Sequence, residues 1–444
     1  MAGTVEANAE RILDRVSAAG ATGDLVVQEQ SSLSLKAHNG ELEEHKVTST
    51  RVYGVRVVRD DRAGIAYSEA GDAAALDSMV EQAVVNAAFA RVDPAEAVAA
   101  GDTTLATDDA ILCPEDPTSV EAKIEAALYL ERELTARDNV RNVPYNGVQD
   151  LRAERHVFAT TGRTANSRNR VCSAFAYALM SDGEKDALEG TQRHARRFHE
   201  IDTAWIVDET YQRCVAMLHG EALPSKHYDV LFDVEHQADL FAVFHDMFSA
   251  KTARDGINPL RDKVGERIAV DTLTIRDAPL DANGLGYALF DDEGLATAAT
   301  TLVDGGVLRT LIHNSATAAH FDVPNTHNAL RSPRSSLGVG LHQLEVAVGD
   351  VDEGTLTGGE YVEIVDLAGL HSGGNPVSGD FSFGAAGFLC RDGERIRPVR
   401  NITVAGNFFE MLEKIAAIGD KQHWNPERSA LMARIRFADV AVSG

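Results

Sequence analysis

Glycine decides what the second half of this chain can become. The chain carries 36 glycines in 444 residues. Past residue 280 many fall in turn-forming groups: Asp281 to Gly286, Asp304-Gly305-Gly306, Gly349 to Gly359 and Arg391-Asp392-Gly393. Between these turns only short strands fit, and Gly306 to Ile312, Gln343 to Val348, Tyr361 to Leu367 and Phe381 to Leu389 have the composition for them. A strand at Tyr228 to Phe232 leads into a helix from Val234 to about Ser249. A second helix is predicted from Phe408 to Ile418, closed by Gly419. Residues 223–444 are therefore expected to form a β-rich domain with a few helices.

The first half follows other periods. Ile12, Leu13 and Val16 predict an amphipathic helix from Glu6 to Ala19. Alternating runs follow at Asp24 to Lys36, Leu42 to Thr50, Arg51 to Arg59 and Ala63 to Ser68. Met79, Val80, Ala83 and Val84 share one face of a helix from Ala73 to Arg91. A loop from Gly101 to Pro117 precedes Ser119, which caps a helix from Val120 to Arg137. Asn139 to Leu179 is strand-like, and Asp202 to His219 reads as a helix that Leu223-Pro224-Ser225 breaks. Residues 1–222 are expected to be an α+β domain, with helices on one face of a mixed or antiparallel sheet. The fold class is α+β, in two domains, since one core stops growing near about 250–300 residues.

Charge excludes one class of partner. The net charge is −26 and the acid is spread along the chain, whereas binding phosphates needs a basic footprint. Nucleic acid is not an expected partner. Nine lysines leave 33 of the 42 basic residues as arginine. A dispersed acidic surface poor in lysine suggests a salt-rich cytoplasm, where screening weakens self-repulsion. No run of about 18 apolar residues would span a membrane, and Met1 to Arg15 lacks the pattern of a secretory signal. The expected location is the cytoplasm, with no membrane partner. Cys113, Cys172, Cys214 and Cys390 are far apart and form no CxxC pair.

Tests for known chemistry are mostly negative. HExxH and HExxxH, which set two imidazoles on one helical face beside a carboxylate base, do not occur. Nor do GxSxG, GxxxxGK[ST] or GxGxxG. His313, His320 and His327 are spaced by seven, too far for one ion on a helix, and read as solvated or hydrogen-bonded histidines. Ser336 near Arg331 and Arg334 reads as a polar loop.

The most informative stretch is His371-Ser372-Gly373-Gly374-Asn375-Pro376-Val377-Ser378-Gly379-Asp380-Phe381-Ser382-Phe383-Gly384-Ala385-Ala386-Gly387-Phe388. Its first half is a tight loop. Its second half is a strand with small residues on one side, as if another backbone packs close. Pro398-Val399-Arg400-Asn401-Ile402-Thr403-Val404-Ala405-Gly406-Asn407 follows, and then the last helix. This run resembles the TldD/PmbA family, once called modulators of DNA gyrase. Asp291-Asp292-Glu293-Gly294, Thr300 to Leu308, Gly256 to Ala269 and Gly54 to Val58 are similar to further segments of that family, so the resemblance spans roughly the whole chain.

The resemblance implies a peptidase family with two branches. One carries HExxxH on a central helix and a cysteine near the C-terminus, and binds zinc. The other, PmbA- or TldE-like, lacks these ligands and pairs with the first. Here Phe241 and Asp246 fall at the two histidine positions and Ala242 at the glutamate position. The resemblance therefore implies a non-catalytic subunit with no catalytic residue and no cofactor of its own. Zinc would lie in a TldD-like partner of a heterodimer, with unfolded or small peptides as substrate. His245, Asp246 and His423 are the one unusual ligand set left to consider. Gly374, Asn375, Ser378, Asp380 and Phe381 are the candidates for shaping a peptide cleft or a subunit contact, with a purely structural role equally open. The alternatives are a stand-alone homodimeric peptidase with an unrecognised site, and a non-enzymatic protein-binding modulator.

Overall fold

The computed structural model describes residues 4–101, 104–105 and 108–444. Met1 to Gly3, and Asp102, Thr103, Ala106 and Thr107 of the predicted loop, lie outside the described residues. In chain order the helices are α1 (Val5–Ala18), α2 (Ala73–Phe89), α3 (Asp109–Leu112), α4 (Val120–Thr135), α5 (Thr203–Leu218), α6 (Val234–Phe244), α7 (Ala250–Arg254), α8 (Ser315–Phe321), α9 (Glu353–Leu356) and α10 (Phe408–Glu413). The first seven strands are β1 (Thr22–His38), β2 (Glu41–Arg59), β3 (Arg62–Ser68), β4 (Thr104–Leu105), β5 (Val140–Ala159), β6 (Thr164–Ser181) and β7 (Asp186–Ala195). The remainder are β8 (Lys226–Phe232), β9 (Ile275–Asp277), β10 (Thr300–Asp304), β11 (Val307–Leu308), β12 (Ala329–Leu330), β13 (Gly338–Val339), β14 (Leu344–Val346), β15 (Glu360–Ala368), β16 (Asp380–Arg391), β17 (Glu394–Asn407), β18 (Ile415–Trp424) and β19 (Ala430–Ser443). The fold is mixed α+β.

The first sheet runs β3-β2-β1-β5-β6, with β4 and β7 both on β6. Its long strands are antiparallel hairpins, β1 with β2 and β5 with β6. The two runs expected at 42–50 and 51–59 are one strand of 19 residues. Ile12 and Val16 of α1 and Leu76, Met79, Val80 and Ala83 of α2 close over Leu25, Val27, Val55 and Val57. Asp72 and Ser119 cap α2 and α4 by accepting N–H groups of Ala75 and Ala122.

The second sheet closes on itself. β8 pairs with β15 on one side and β19 on the other, and β15-β16-β17 returns to β19. One small residue of the 380–391 strand, Gly387, is required by β15. A Cβ at Gly387 would sit 1.8 Å from the Glu363 carbonyl oxygen. β9, β10, β11 and β14 extend the sheet beyond β19, where β14 runs parallel.

Three expectations are corrected. The helix from Val234 to about Ser249 stops at Phe244, and His245–Phe248 form a tighter turn. Buried Asn258 explains the break, because its side-chain amide donates to the carbonyls of Asp246, Met247 and Ser249 and draws them off the helical path. The last helix, expected from Phe408 to Ile418, ends at Glu413. Ile415 and Ile418 bury themselves as a strand opposite Phe437 and Ile435, with Gly419 inside it rather than closing a helix. The strand expected from Gly306 to Ile312 shrinks to Val307–Leu308.

Candidate functional site

α6 is the central element, and Asp233 starts it by accepting the backbone N–H of His236 at 2.8 Å. Its C-terminal end carries Phe241, Ala242, His245 and Asp246. Phe241 and Phe244 are fully buried. The Phe408 ring meets Phe241 edge-on at 5.1 Å and stacks on Phe244 at 4.6 Å. Phe381 lies 6.2 Å from Phe244 and stacks on Phe383. Each such ring pair adds about 0.5–1.5 kcal/mol beyond its area. Ala242 is exposed. The His245 Nδ1–H donates to the Ala242 carbonyl, and its Nε2 lies 3.6 Å from Asp246 Oδ1, with both side chains about half exposed.

The glycine-rich loop clasps this aromatic cluster. Asn375 Oδ1 accepts the N–H groups of Val377 and Ser378, and the Asn375 N–H donates to the Asp380 carbonyl. Ser378 Oγ donates to Asp380 Oδ2 at 2.8 Å. Asn407 joins the loop to α10. Its amide donates to the Ser378 carbonyl and to Asp380 Oδ1, while its Oδ1 accepts from Phe409 and Glu410. Gly374 is needed where it stands, since a Cβ there would meet Val243 of α6 at 2.7 Å. Gly379 has φ +84°, and a Cβ would strike the Phe409 ring. Two groups far apart in sequence, Gly374 with Phe381 and Phe241 with Phe244, thus belong to one packed unit.

The N-terminal end of α6 holds a charged group that sequence reading missed. Asp233, Glu235 and His236 bring ligand-type atoms within 4.8 Å of one another. His236 Nδ1–H donates to Asp233 Oδ1 at 2.7 Å, and Arg213 of α5 lies 3.4 Å from Glu235. Burial alone would lower the imidazole pKa, but Asp233, with Glu235 and Asp239, raises it to about 9. His236 is paired with Asp233, and Arg213, which lies nearer still to Glu209 at 2.9 Å, faces Glu235. Nearby Glu189, on β7, is pushed up to about 7 by burial and by Asp366. The available signal was a cap residue followed by an acid and a histidine directly after a strand, Asp233-Val234-Glu235-His236.

A second missed feature ties the first sheet to the loops around β12, which pairs only with β13. Arg56 Nη2 of β2 lies 2.7 Å from Asp24 on β1, and its Nη1 lies 2.9 Å from Glu96. Arg331 reaches across from the loop after β12 to Asp24 Oδ1 at 2.8 Å. Asp292 pairs with Arg155 of β5 at 2.7 Å and accepts the Arg331 N–H. Burial would raise the Asp24 pKa, but Arg331 and Arg56 together hold it below the usual carboxylate range. Beside this junction lies a cavity of about 540 Å³, lined by Gln28, Arg155, Asn169, Tyr287, Asp291 and Arg331 among others. Asp291 is pushed up to about 7 by burial and by Glu293, against the pull of backbone N–H groups of Leu295, Ala329 and Glu293.

A zinc site requires about four N, O or S ligands, or three and an open position. At the C-terminal end of α6, Phe241 and Ala242 offer none, and His245 and Asp246 are turned to each other. His423 is exposed on β18, paired opposite Met432. It forms no triad with them: among the described residues, the sets of three ligand atoms within 4.8 Å are Asp116–Asp150–Cys172 and Asp233–Glu235–His236. The first set is neutralised by Lys123 and Arg170 at 2.5–3.2 Å. At the second, a metal would have to displace the proton of an imidazole with a raised pKa. The residues at the end of α6 do not fit zinc.

Three family models match. Residues 225–444 match the PmbA/TldA metallopeptidase C-terminal domain, residues 23–87 its domain 1 and residues 113–218 its central domain. A metalloprotease PmbA homolog of Haemophilus influenzae is 24% identical over 418 residues, covering 90% of this chain and 88% of that protein. A metalloprotease of Methanothermobacter thermautotrophicus is 25% identical over 410 residues, covering 88% and 85%. Among solved structures, a Thermotoga maritima protein described as a modulator of a DNA gyrase superposes with a TM-score of 0.85 at 23% identity, covering 99% of this chain and all of that one. TldE from Thermococcus kodakarensis gives 0.84 at 20% identity, covering 98% and 100%.

Proposed function

Since the chain belongs to the PmbA/TldD metallopeptidase family, we propose that it is the TldE-like subunit of a two-chain peptidase and does not itself hold the catalytic zinc. The observation that carries this reading is the end of α6. Phe241 is buried against Phe408 and Phe244 where a ligand would have to stand. A zinc peptidase needs ligands, an activated water and a base next to it, and this end of the helix provides an aromatic core instead. The likeness in fold to a TldE supports the same reading. In it, the HExxxH subunit supplies the chemistry, and this chain supplies the opposite wall of the cleft that admits extended peptides. Gly374, Asn375, Ser378, Asp380 and Phe381 hold that wall in shape through the clasp on α6 and α10. The cell compartment in this reading is the cytoplasm. Among the described residues no helix is long and apolar enough to cross a membrane.

The test is co-expression with an HExxxH-bearing family member from the same genome. Peptide cleavage is expected from the pair and not from this chain alone. Chelator-sensitive cleavage by the purified single chain would overturn the proposal.

A further inference from the structure

Two arginines meet at one turn with no acid to share. Arg196 directly follows β7 and is 9% exposed. Its Nη2 donates to the Gly284 carbonyl at 3.0 Å, the one hydrogen bond of that guanidinium among the described residues. Arg428 holds the next residue of the same turn, its carbonyl accepting the Leu285 N–H at 2.7 Å. The Nε atoms of both arginines are buried without a hydrogen-bond partner, and among the described residues neither guanidinium has an ion pair. Burial first, and then Arg428, pull the Arg196 pKa below the ordinary arginine value. A guanidinium nevertheless keeps its proton at neutral pH, so the charge stays.

The other buried arginines are provided for. Arg56, Arg170 and Arg331 face carboxylates at 2.5–2.8 Å, and Arg163 donates to the carbonyls of Gly294 and Ala100. The acids of the segments around Arg196 and Arg428 are engaged elsewhere. Glu200 pairs with Arg197 at 3.0 Å, Glu427 accepts from Gln192 and Asn425, and Asp281 accepts the N–H and the side-chain amide of Asn283. With 68 acidic residues to 42 basic ones, a shortage of acid does not explain the arrangement.

The two arginines are also held in place. The Pro426 carbonyl accepts the His194 N–H and docks the 425–429 turn on β7, two residues before Arg196. Buried Asn425 shapes that turn, its Oδ1 accepting the N–H groups of Ser429 and Ala430 at 2.8 and 3.0 Å. Arg428 stands in it at φ +53°, a conformation that is costly outside glycine. A buried charge with no partner is costly as well. One anion accepting from both guanidiniums offsets that cost, and the planar fork of arginine fits the paired oxygens of carboxylate and phosphate.

We propose that Arg196 and Arg428 form a binding site for a single oxyanion group, a phosphate or a carboxylate, beside the 284–285 turn. The inference goes beyond the TldE-like reading and does not depend on it.

Isothermal titration calorimetry of the purified chain tests it at neutral pH and constant ionic strength, with inorganic phosphate in one arm and acetate in the other. One saturable site with a Kd of about 1 mM or tighter is expected for at least one of them. Tighter phosphate points to a phosphorylated ligand, and tighter acetate to a carboxylate. Arg428→Gln should weaken binding at least about tenfold. The Arg428 side chain is half-buried and makes no hydrogen bond among the described residues, so the variant should fold, which circular dichroism checks. Arg196→Met should also lose binding. Without phosphate or acetate it should melt no lower than the parent, since it removes an unpaired buried charge. No saturable binding of either anion up to about 10 mM, or binding that Arg428→Gln leaves unchanged, would overturn the proposal. So would a fall in the melting temperature of Arg196→Met, which would mean that Arg196 is already paired within the chain.

Discussion

His236 couples charge to stability at one residue. Its imidazole is held up to about 9 against burial by Asp233, above the ordinary value near 6.5. A raised folded pKa adds stability that is complete below about pH 6.5 and is lost as pH rises through about 9. The His236→Gln variant should therefore be less stable than the parent at pH 6 by roughly 2–3 kcal/mol, with the gap closing by pH 10. Urea unfolding of both proteins across that range measures it, and a gap independent of pH would refute the assignment. Phe241 offers a second test. Truncation to Ala removes a fully buried ring and should cost about 3–5 kcal/mol, read as a fall in urea midpoint. The apolar character of Phe241 was legible in the sequence, because the residue type alone excludes a ligand. The role of His236 was not. Histidine spacing says nothing about a partner three residues back until a helix cap brings the two together.

Elements show where local pattern loses to tertiary pairing. Ile415 and Ile418 are spaced for a helix, and Gly419 looks like its stop. Yet β19 offers both isoleucines a strand partner, and burial in the sheet outweighs propensity. Asn258 cuts α6 short by a similar override from outside the helix. The turns, in contrast, were readable: Asp392-Gly393 and Gly305-Gly306 adopt the positive φ that only such residues take readily. The glycine-rich loop was readable as a tight, hydrogen-bonded loop, but not its anchor. Asn407 stands 27 residues beyond Asp380 and reaches it only because β16 and β17 form a hairpin. Asn407→Ala should loosen both the loop and the start of α10, costing about 2 kcal/mol or more from the lost cap and the orphaned Asp380. Hydrogen exchange should rise at 375–380 and 408–410 together. Exchange that rises at only one of the two would mean the clasp is not a unit.

At the scale of the whole molecule, a buried ionic junction joins the first sheet to the loops around β12, and the chain carries a net charge of −26. Arg331 is 4% exposed and reaches Asp24 across that junction. Removing one partner of a buried pair strands the other, so Arg331→Met should cost about 3–5 kcal/mol, and a double-mutant cycle with Asp24→Asn should recover part of it. No local period could announce this contact, since Asp24 and Arg331 stand 307 residues apart. The acidic surface makes a prediction that needs only the composition. Raising KCl screens the self-repulsion, so the melting temperature should climb with salt, and a flat response would remove the argument for a salt-rich cytoplasm.

Whether the catalytic zinc is left to a partner chain is decided by metal stoichiometry. Elemental analysis should be made on the chain purified alone, and again in complex with an HExxxH-bearing subunit after both have seen excess zinc. Substoichiometric zinc is expected in the lone chain and about one ion per pair in the complex. One zinc bound per lone chain, lost on replacing His245 or His236, would contradict it.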